Sequence, residues 1–155
     1  MKTAAVTILD RLGAPYEIRA YDEDALTAQE AATKLGLPLD RVFKTLVTRG
    51  DRTGVLLACL PGSRELDLRA LARLSGNKRV ELVPVTEIHK LTGYLRGGVS
   101  PLGSRRAYPL FLDESARNQE TISVSAGMRG MQLLVRPDDL ARAAAATIAP
   151  IATPV

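Results

Sequence analysis

Helical spacing governs the start of the chain. Ala5, Ile8, Leu9 and Leu12 fall on one face of a helix predicted over 4–12, with Thr3 placed to cap it and Gly13 to stop it. The period then changes to two: after Pro15, Tyr16, Ile18 and Ala20 alternate with Glu17, Arg19 and Tyr21, which predicts a short strand over 16–21. Thr27 and Glu30 make a capping-box pattern before a helix over 28–35, closed by Gly36. A helical turn at 38–42 leads into a strand at 43–49. The 50–54 stretch, with a glycine at each end, folds that strand back onto another at 55–60.

Leu66, Leu68, Leu71, Ala72 and Leu74 predict a helix over 67–75, ended by Gly76 and Asn77. Residues 80–83 read as strand, and Thr86 as the cap of a short helix through Leu91. Further strands are predicted at 108–112, 122–125 and 131–135, and Pro137 opens a last helix. Helices at both ends with hairpin-joined strands between them indicate an α+β fold with a mixed, mainly antiparallel sheet. No repeat, linker or low-complexity tract divides the chain, so one domain is expected over 1–155.

Composition adds that the chain folds: 46% hydrophobic and 25% charged residues are ordinary for a globular domain. Asp10 and Arg11 interrupt the first apolar stretch, and no run of about 18 apolar residues occurs. With a single cysteine, Cys59, a reduced cytoplasmic setting is expected. Lys plus Arg (21) less Asp plus Glu (17) gives +4. Between positions 88 and 112 there is no acidic residue, while Lys90, Arg96, Arg105 and Arg106 supply four positive charges. Such a stretch suits contact with a phosphate backbone.

Several chemistries lack their residues. One His and one Cys, thirty positions apart, do not make a zinc site, so no metal is expected. His89, beside Lys90, reads as a surface histidine, and Cys59, inside an apolar run, as a small core side chain with a raised pKa. Gly98-Val99-Ser100-Pro101 approaches a nucleophile elbow but lacks its final glycine. No Walker or dinucleotide-binding glycine pattern is present, and no cofactor is expected. Two Phe, four Tyr and no Trp leave little for base stacking, so RNA contact would be mainly electrostatic.

Two features remain. The segment Gly97-Gly98-Val99-Ser100-Pro101-Leu102-Gly103 holds three glycines in seven residues. By composition it is either a plain turn or a loop whose N–H groups converge on an oxyanion. Lys44 alternates with Leu46 and Thr48, so it points into a cavity if that face lines one.

Together with Val124-Ser125-Ala126-Gly127-Met128-Arg129-Gly130, the phrases Phe43-Lys44-Thr45-Leu46 and Thr92 through Gly103 resemble the YbaK family of Cys-tRNA(Pro) deacylases, in the family's order and spacing. The resemblance covers nearly the whole chain from Tyr21-Asp22 onward. It implies a relative of the editing domain of bacterial prolyl-tRNA synthetases, with the sheet curled into a barrel-like core surrounded by helices. It implies the removal in trans of cysteine from tRNA(Pro), the substrate's own thiol attacking its ester, with no cofactor and with prolyl-tRNA synthetase as a partner. Lys44, Gly98, Ser100 and Gly103 fall on the family's catalytic positions. Tyr21, Gly97, Val99, Pro101, Leu102, Gly127 and Gly130 fall on its substrate-binding positions. Lys90, Arg96, Arg105 and Arg106 are expected on the tRNA backbone. Ala126, Met128 and Gln132 depart from the family pattern, where glycine, lysine and an acid are usual, and these departures bear on substrate preference. The alternatives are an Ala-tRNA(Pro) or broader deacylase of the same fold, or an idle tRNA-binding module.

Overall fold

The helix ends follow from the capping residues. In α1 (Ala4–Leu12) the Thr3 hydroxyl accepts from the Val6 N–H at 3.3 Å. In α2 (Ala28–Leu35) the Glu30 N–H donates to Thr27 Oγ1, and the Thr27 hydroxyl donates to the Glu30 carboxylate, both at 3.1 Å. In α3 (Leu68–Ser75) Asp67 accepts from the Ala70 N–H. The computed structural model describes residues 2–154, so both end positions of the expected domain lie outside the described residues.

Two boundaries differ from expectation. Helix α4 (Val85–Thr92) is preceded by Pro84 in extended conformation, so Thr86 lies inside the first turn and caps nothing. Proline's fixed φ ends the preceding extended segment, and the helix begins at the next residue. Helix α5 (Pro137–Ala144) starts on its proline as expected, but ends at Ala145 in the left-handed region, where no glycine announces a stop.

The strands are β1 (Tyr16–Ala20), β2 (Phe43–Gly50), β3 (Gly54–Pro61), β4 (Val80–Leu82), β5 (Leu110–Asp113), β6 (Ile122–Met128), β7 (Met131–Val135) and β8 (Thr147–Ala149). They form two sheets, β1-β7-β6 and β4-β2-β3-β5-β8. Among the strand pairs of the described residues, β3–β5 and β5–β8 run parallel and the others antiparallel. The sheet structure is therefore mixed and mainly antiparallel, as expected. The two sheets meet through an isolated bridge between Val42 and Ser123.

Strand β5 begins two residues later than expected because Pro109 has no N–H for the ladder, although its carbonyl accepts from Leu57. Strand β6 runs three residues further than expected, through an irregularity between Ser125 and Met128. Strand β8, three residues long, is too short to show a period in the sequence.

Alternation along β3 explains its unbroken apolar sequence. Leu57 and Cys59 face the main core with Leu9, Phe43, Ile122, Leu133 and Leu140, while Leu56, Ala58 and Leu60 face a second cluster with Leu71 of α3. Both faces are buried, so neither can be polar. Asp113, at the end of β5, ties down the C-terminal segment by accepting from the N–H groups of Ile151 (3.0 Å) and Ala152 (3.1 Å). Arg64 lies 3.7 Å from the same carboxylate.

Candidate active site

Strand β2 has one edge fully paired with β3 and the other only partly covered. Strand β4 pairs with Thr48–Gly50, and the next contact on the other side of the gap is the Val42 bridge to Ser123. Between these points the edge of β2 looks into a cavity of ≈ 500 Å³. Because an edge rather than a face is presented, both alternating sets reach the lining. Lys44 and Leu46 are there, and so are Phe43, Thr45 and Val47. Thr48, expected on the Lys44 face of the site, is instead buried, its hydroxyl donating to the Leu56 carbonyl at 2.8 Å.

Lys44 is half-buried, and among the described residues its ammonium has no acidic partner within ion-pair distance. Across the cavity stand Arg96, Gly97 and Val99, with Tyr21, Ser125 and Gln132 closing another wall. No lining residue is a carboxylate, an imidazole or a thiol. The site therefore carries two cations, Lys44 and Arg96, and neutral polar groups.

The neutral groups are held in order. Gln132, on β7 and 6% exposed, accepts from the Ser123 hydroxyl at 2.8 Å and donates through Nε2 to the Tyr21 phenol oxygen at 3.2 Å. The Tyr21 N–H donates to Gly130, which fixes the backbone of the ring's residue. Ser125 Oγ accepts from the Gly127 N–H at 3.1 Å. The Thr45 hydroxyl is buried without a hydrogen-bond partner among the described residues.

The glycine-rich segment divides. Gly97 and Val99 line the cavity, whereas Gly98, Ser100, Pro101, Leu102 and Gly103 do not. The Gly98 N–H is engaged by Leu95 O at 2.9 Å, and the absence of a side chain there lets the β6–β7 turn approach: a Cβ would lie 3.0 Å from Arg129 N. Ser100 Oγ accepts from the Leu102 N–H, and the Leu102 carbonyl accepts from the Tyr94 hydroxyl at 2.6 Å. Gly103 has φ +79°, and a Cβ on it would lie 2.7 Å from that same hydroxyl. Burial pushes the Tyr94 phenol up to about 12, so it stays a donor. Gly127 packs on the Tyr94 ring, and neither it nor Gly130 lines the cavity.

Of the expected site residues, the structure thus brings together Tyr21, Lys44, Gly97 and Val99. Of the four expected tRNA contacts, Arg96 lies on the cavity rim, its carbonyl accepting from Arg129 Nε at 2.7 Å, while Lys90, Arg105 and Arg106 are exposed. Cys59 is fully buried opposite Thr45, and desolvation pushes its thiol up to about 12. His89 is exposed and outside the lining.

Sequence reading did not place Thr45 or Ser125 in the site, and it marked Gln132 only as a departure from the family pattern that bears on substrate preference. A signal was present: Ser123 and Ser125 alternate in an otherwise apolar strand, and Gln132 interrupts the apolar run of β7. Buried polar residues at strand period indicate a face with partners.

Comparison with known proteins gives concordant matches. A family model described as an aminoacyl-tRNA editing domain matches residues 22–143. EbsC of Enterococcus faecalis, described as a Cys-tRNA(Pro)/Cys-tRNA(Cys) deacylase, is 44% identical over 139 residues, which is 88% of this chain and 85% of EbsC. A proline–tRNA ligase of Shouchella clausii is 34% identical over 115 residues, 74% of this chain but 20% of the ligase. A crystal structure described as a trans-editing enzyme for prolyl-tRNA synthetase superposes with a TM-score of 0.85 at 25% identity over 99% of each chain.

Proposed function

The chain belongs to the aminoacyl-tRNA editing domain family, and from that premise we propose that it is a free-standing deacylase clearing cysteine from mischarged tRNA(Pro). The observation that carries this reading is the cavity at the open edge of β2, which offers cations and hydrogen-bond donors but no nucleophile paired with a base. Cys59 is sealed in the core and His89 lies outside the lining, which supports a reaction in which the substrate supplies its own nucleophile. The cysteinyl thiol attacks its own ester carbonyl: a C–S bond forms, the C–O bond to the ribose breaks, and the thiol proton ends on the ribose oxygen. The products are a cyclic thiolactone and free tRNA.

The protein supplies position and electrostatics. In this reading the N–H groups of Gly97 and Val99 and the hydroxyl of Tyr21 stabilise the charge that develops on the carbonyl oxygen. Lys44 holds the phosphate or ribose of the terminal adenosine. Loss of one such preorganised donor costs roughly 3 kcal/mol, about a hundredfold in rate. Gly98, Ser100, Pro101, Leu102 and Gly103 keep that wall in shape, with Gly127 and Gly130 supporting Tyr94 and Tyr21. Lys90, Arg96, Arg105 and Arg106 engage the tRNA backbone. So few contacts give weak selection of one tRNA, and association with prolyl-tRNA synthetase in the cytoplasm would raise the effective concentration of the mischarged product.

The test compares deacylation of Cys-, Ala- and Ser-tRNA(Pro). Thiol assistance predicts fast turnover of the cysteinyl ester, with thiolactone trapped as a product, and slow turnover of the other two. Equal rates on the alanyl ester would overturn this route and make the chain an alanine-removing or broad deacylase of the same fold.

A further inference from the structure

The polar wall of the cavity has a charge character that narrows what it accepts. The ordinary α-amino group of an aminoacyl ester is cationic at or below neutral pH, and a site that binds an ammonium normally offers it a carboxylate. Here the charged lining groups are Lys44 on β2 and Arg96 on the loop after α4, both cations. None of the acids on the neighbouring elements lines the cavity: Asp22, Glu23 and Asp24 after Tyr21, Glu30 of α2, Asp40 before β2, Glu81 of β4 and Glu87 of α4 are all outside it. Asp22, next to Tyr21, is exposed and paired with Lys34 at 3.0 Å. Glu87 of α4 is paired with Arg49 at 2.8 Å. Neither lines the cavity, and His89 of α4 does not either.

The least exposed polar residue of the lining is Gln132, more than nine-tenths buried. Its oxygen is taken by the Ser123 hydroxyl, so its Nε2 points to the Tyr21 oxygen. Because Tyr21 accepts there, its own hydroxyl proton is left to donate into the cavity. The chain Ser123–Gln132–Tyr21 therefore presents donors inward and adds no negative charge.

We propose that Gln132 is a specificity-determining positioning residue: through its neutral amide and the Tyr21 hydroxyl it makes the cavity accept an acylated ribose whose α-amino group is uncharged and reject the α-ammonium form. This rests on the deacylase reading above and adds the charge state of the ligand to it. The uncharged amine accepts a hydrogen bond from the inward donors, and the Ser125 hydroxyl on the lining is available to take one of its N–H groups. An ammonium has no lone pair to accept with and meets two cations.

The experiment measures binding of two non-hydrolysable probes to the full chain by calorimetry: 3′-deoxyadenosine carrying alanine through a 3′-amide, and the same compound carrying lactate. With an ordinary α-amino pKa of about 7.7–8.0, the uncharged fraction rises roughly fiftyfold between pH 6 and pH 8.5. The alanyl probe is expected to gain affinity by that order over the interval, while the lactyl probe binds alike at both pH values. In Gln132→Glu the alanyl probe binds at least tenfold tighter at pH 6 than to the parent, and its rise with pH disappears. Gln132→Met, which removes the bond to Tyr21 without adding charge, weakens both probes and keeps the pH dependence, with thermal melts confirming that each variant folds. A parent protein that binds the alanyl probe equally at both pH values, or better at pH 6, overturns the inference while leaving deacylation intact. Failure of both probes to bind at any pH removes the deacylase reading, and this inference with it.

Discussion

Replacing Lys44 by methionine keeps most of the apolar stem and removes the ammonium. The charge faces no acidic partner within ion-pair distance among the described residues, so its loss leaves no protein group uncompensated. Unfolding free energy should then change by less than about 0.5 kcal/mol. Function should respond differently. An ammonium about 4 Å from a phosphate is worth about 1 kcal/mol in bulk water and about 4 at the effective dielectric of a protein surface. Lys44 is half-buried in a cavity lined by Phe43, Val47 and Val99, which places it between those limits, near 2 kcal/mol. That corresponds to roughly a thirtyfold loss in kcat/KM. The assay is single-turnover deacylation of Cys-tRNA(Pro) at low and moderate ionic strength, alongside a denaturant melt. Partial burial shields the pair from salt, so the loss should persist at moderate ionic strength. A loss below threefold, or one that vanishes with added salt, would refute the role given to the cavity's lysine.

Exposed cations should behave in the opposite way: Arg105→Gln with Arg106→Gln should weaken tRNA binding and lower the logarithmic salt slope by roughly 0.7–0.9 for each phosphate no longer neutralised, and an unchanged slope would take these residues off the tRNA. Asp113→Ala should cost about 3–5 kcal/mol in a denaturant melt, because it leaves the Ile151 and Ala152 N–H groups without their buried acceptor and removes the anion 3.7 Å from the Arg64 guanidinium; a cost under 1 kcal/mol would mean the C-terminal segment is not held by this carboxylate. Cys59, with its thiol pushed up to about 12 by burial, should resist iodoacetamide at pH 8 in the native state and react once denatured, and Cys59→Ala should keep its deacylation rate. Rapid native alkylation would contradict the sealed core.

Much of the fold was legible because the signals are local. Thr3 with Gly13, Thr27 with Gly36, and the apolar spacing before the stop at Gly76 mark three helices, and the β2–β3 hairpin follows from two apolar runs around a glycine turn. The misplaced ends lie where a neighbour decides. Pro109 keeps residue 108 out of the ladder, β8 exists because β5 offers it a parallel edge, and α5 stops at an alanine. The resemblance read from the motif phrases, confirmed by the family match, named the segments of the site but not which of their atoms face the cavity.

Residue types and their spacing were enough to establish an α+β chain with one cysteine inside a buried run, no nucleophile-base pair, a cationic stretch between positions 88 and 112, and the motif phrases around Lys44 and Gly97–Gly103. Tertiary structure decided where the open edge falls. Strand β4 covers only one end of β2, so Lys44 and Thr45, on opposite faces of one strand, reach the same cavity. It also left most of the glycine segment outside the cavity lining and carried Gln132 and Tyr21, 111 positions apart, into one hydrogen bond. Periodicity reports which face of an element is buried. It carries no information on which edge is left uncovered or on which distant side chain arrives there, since both are set by the packing of elements remote in sequence.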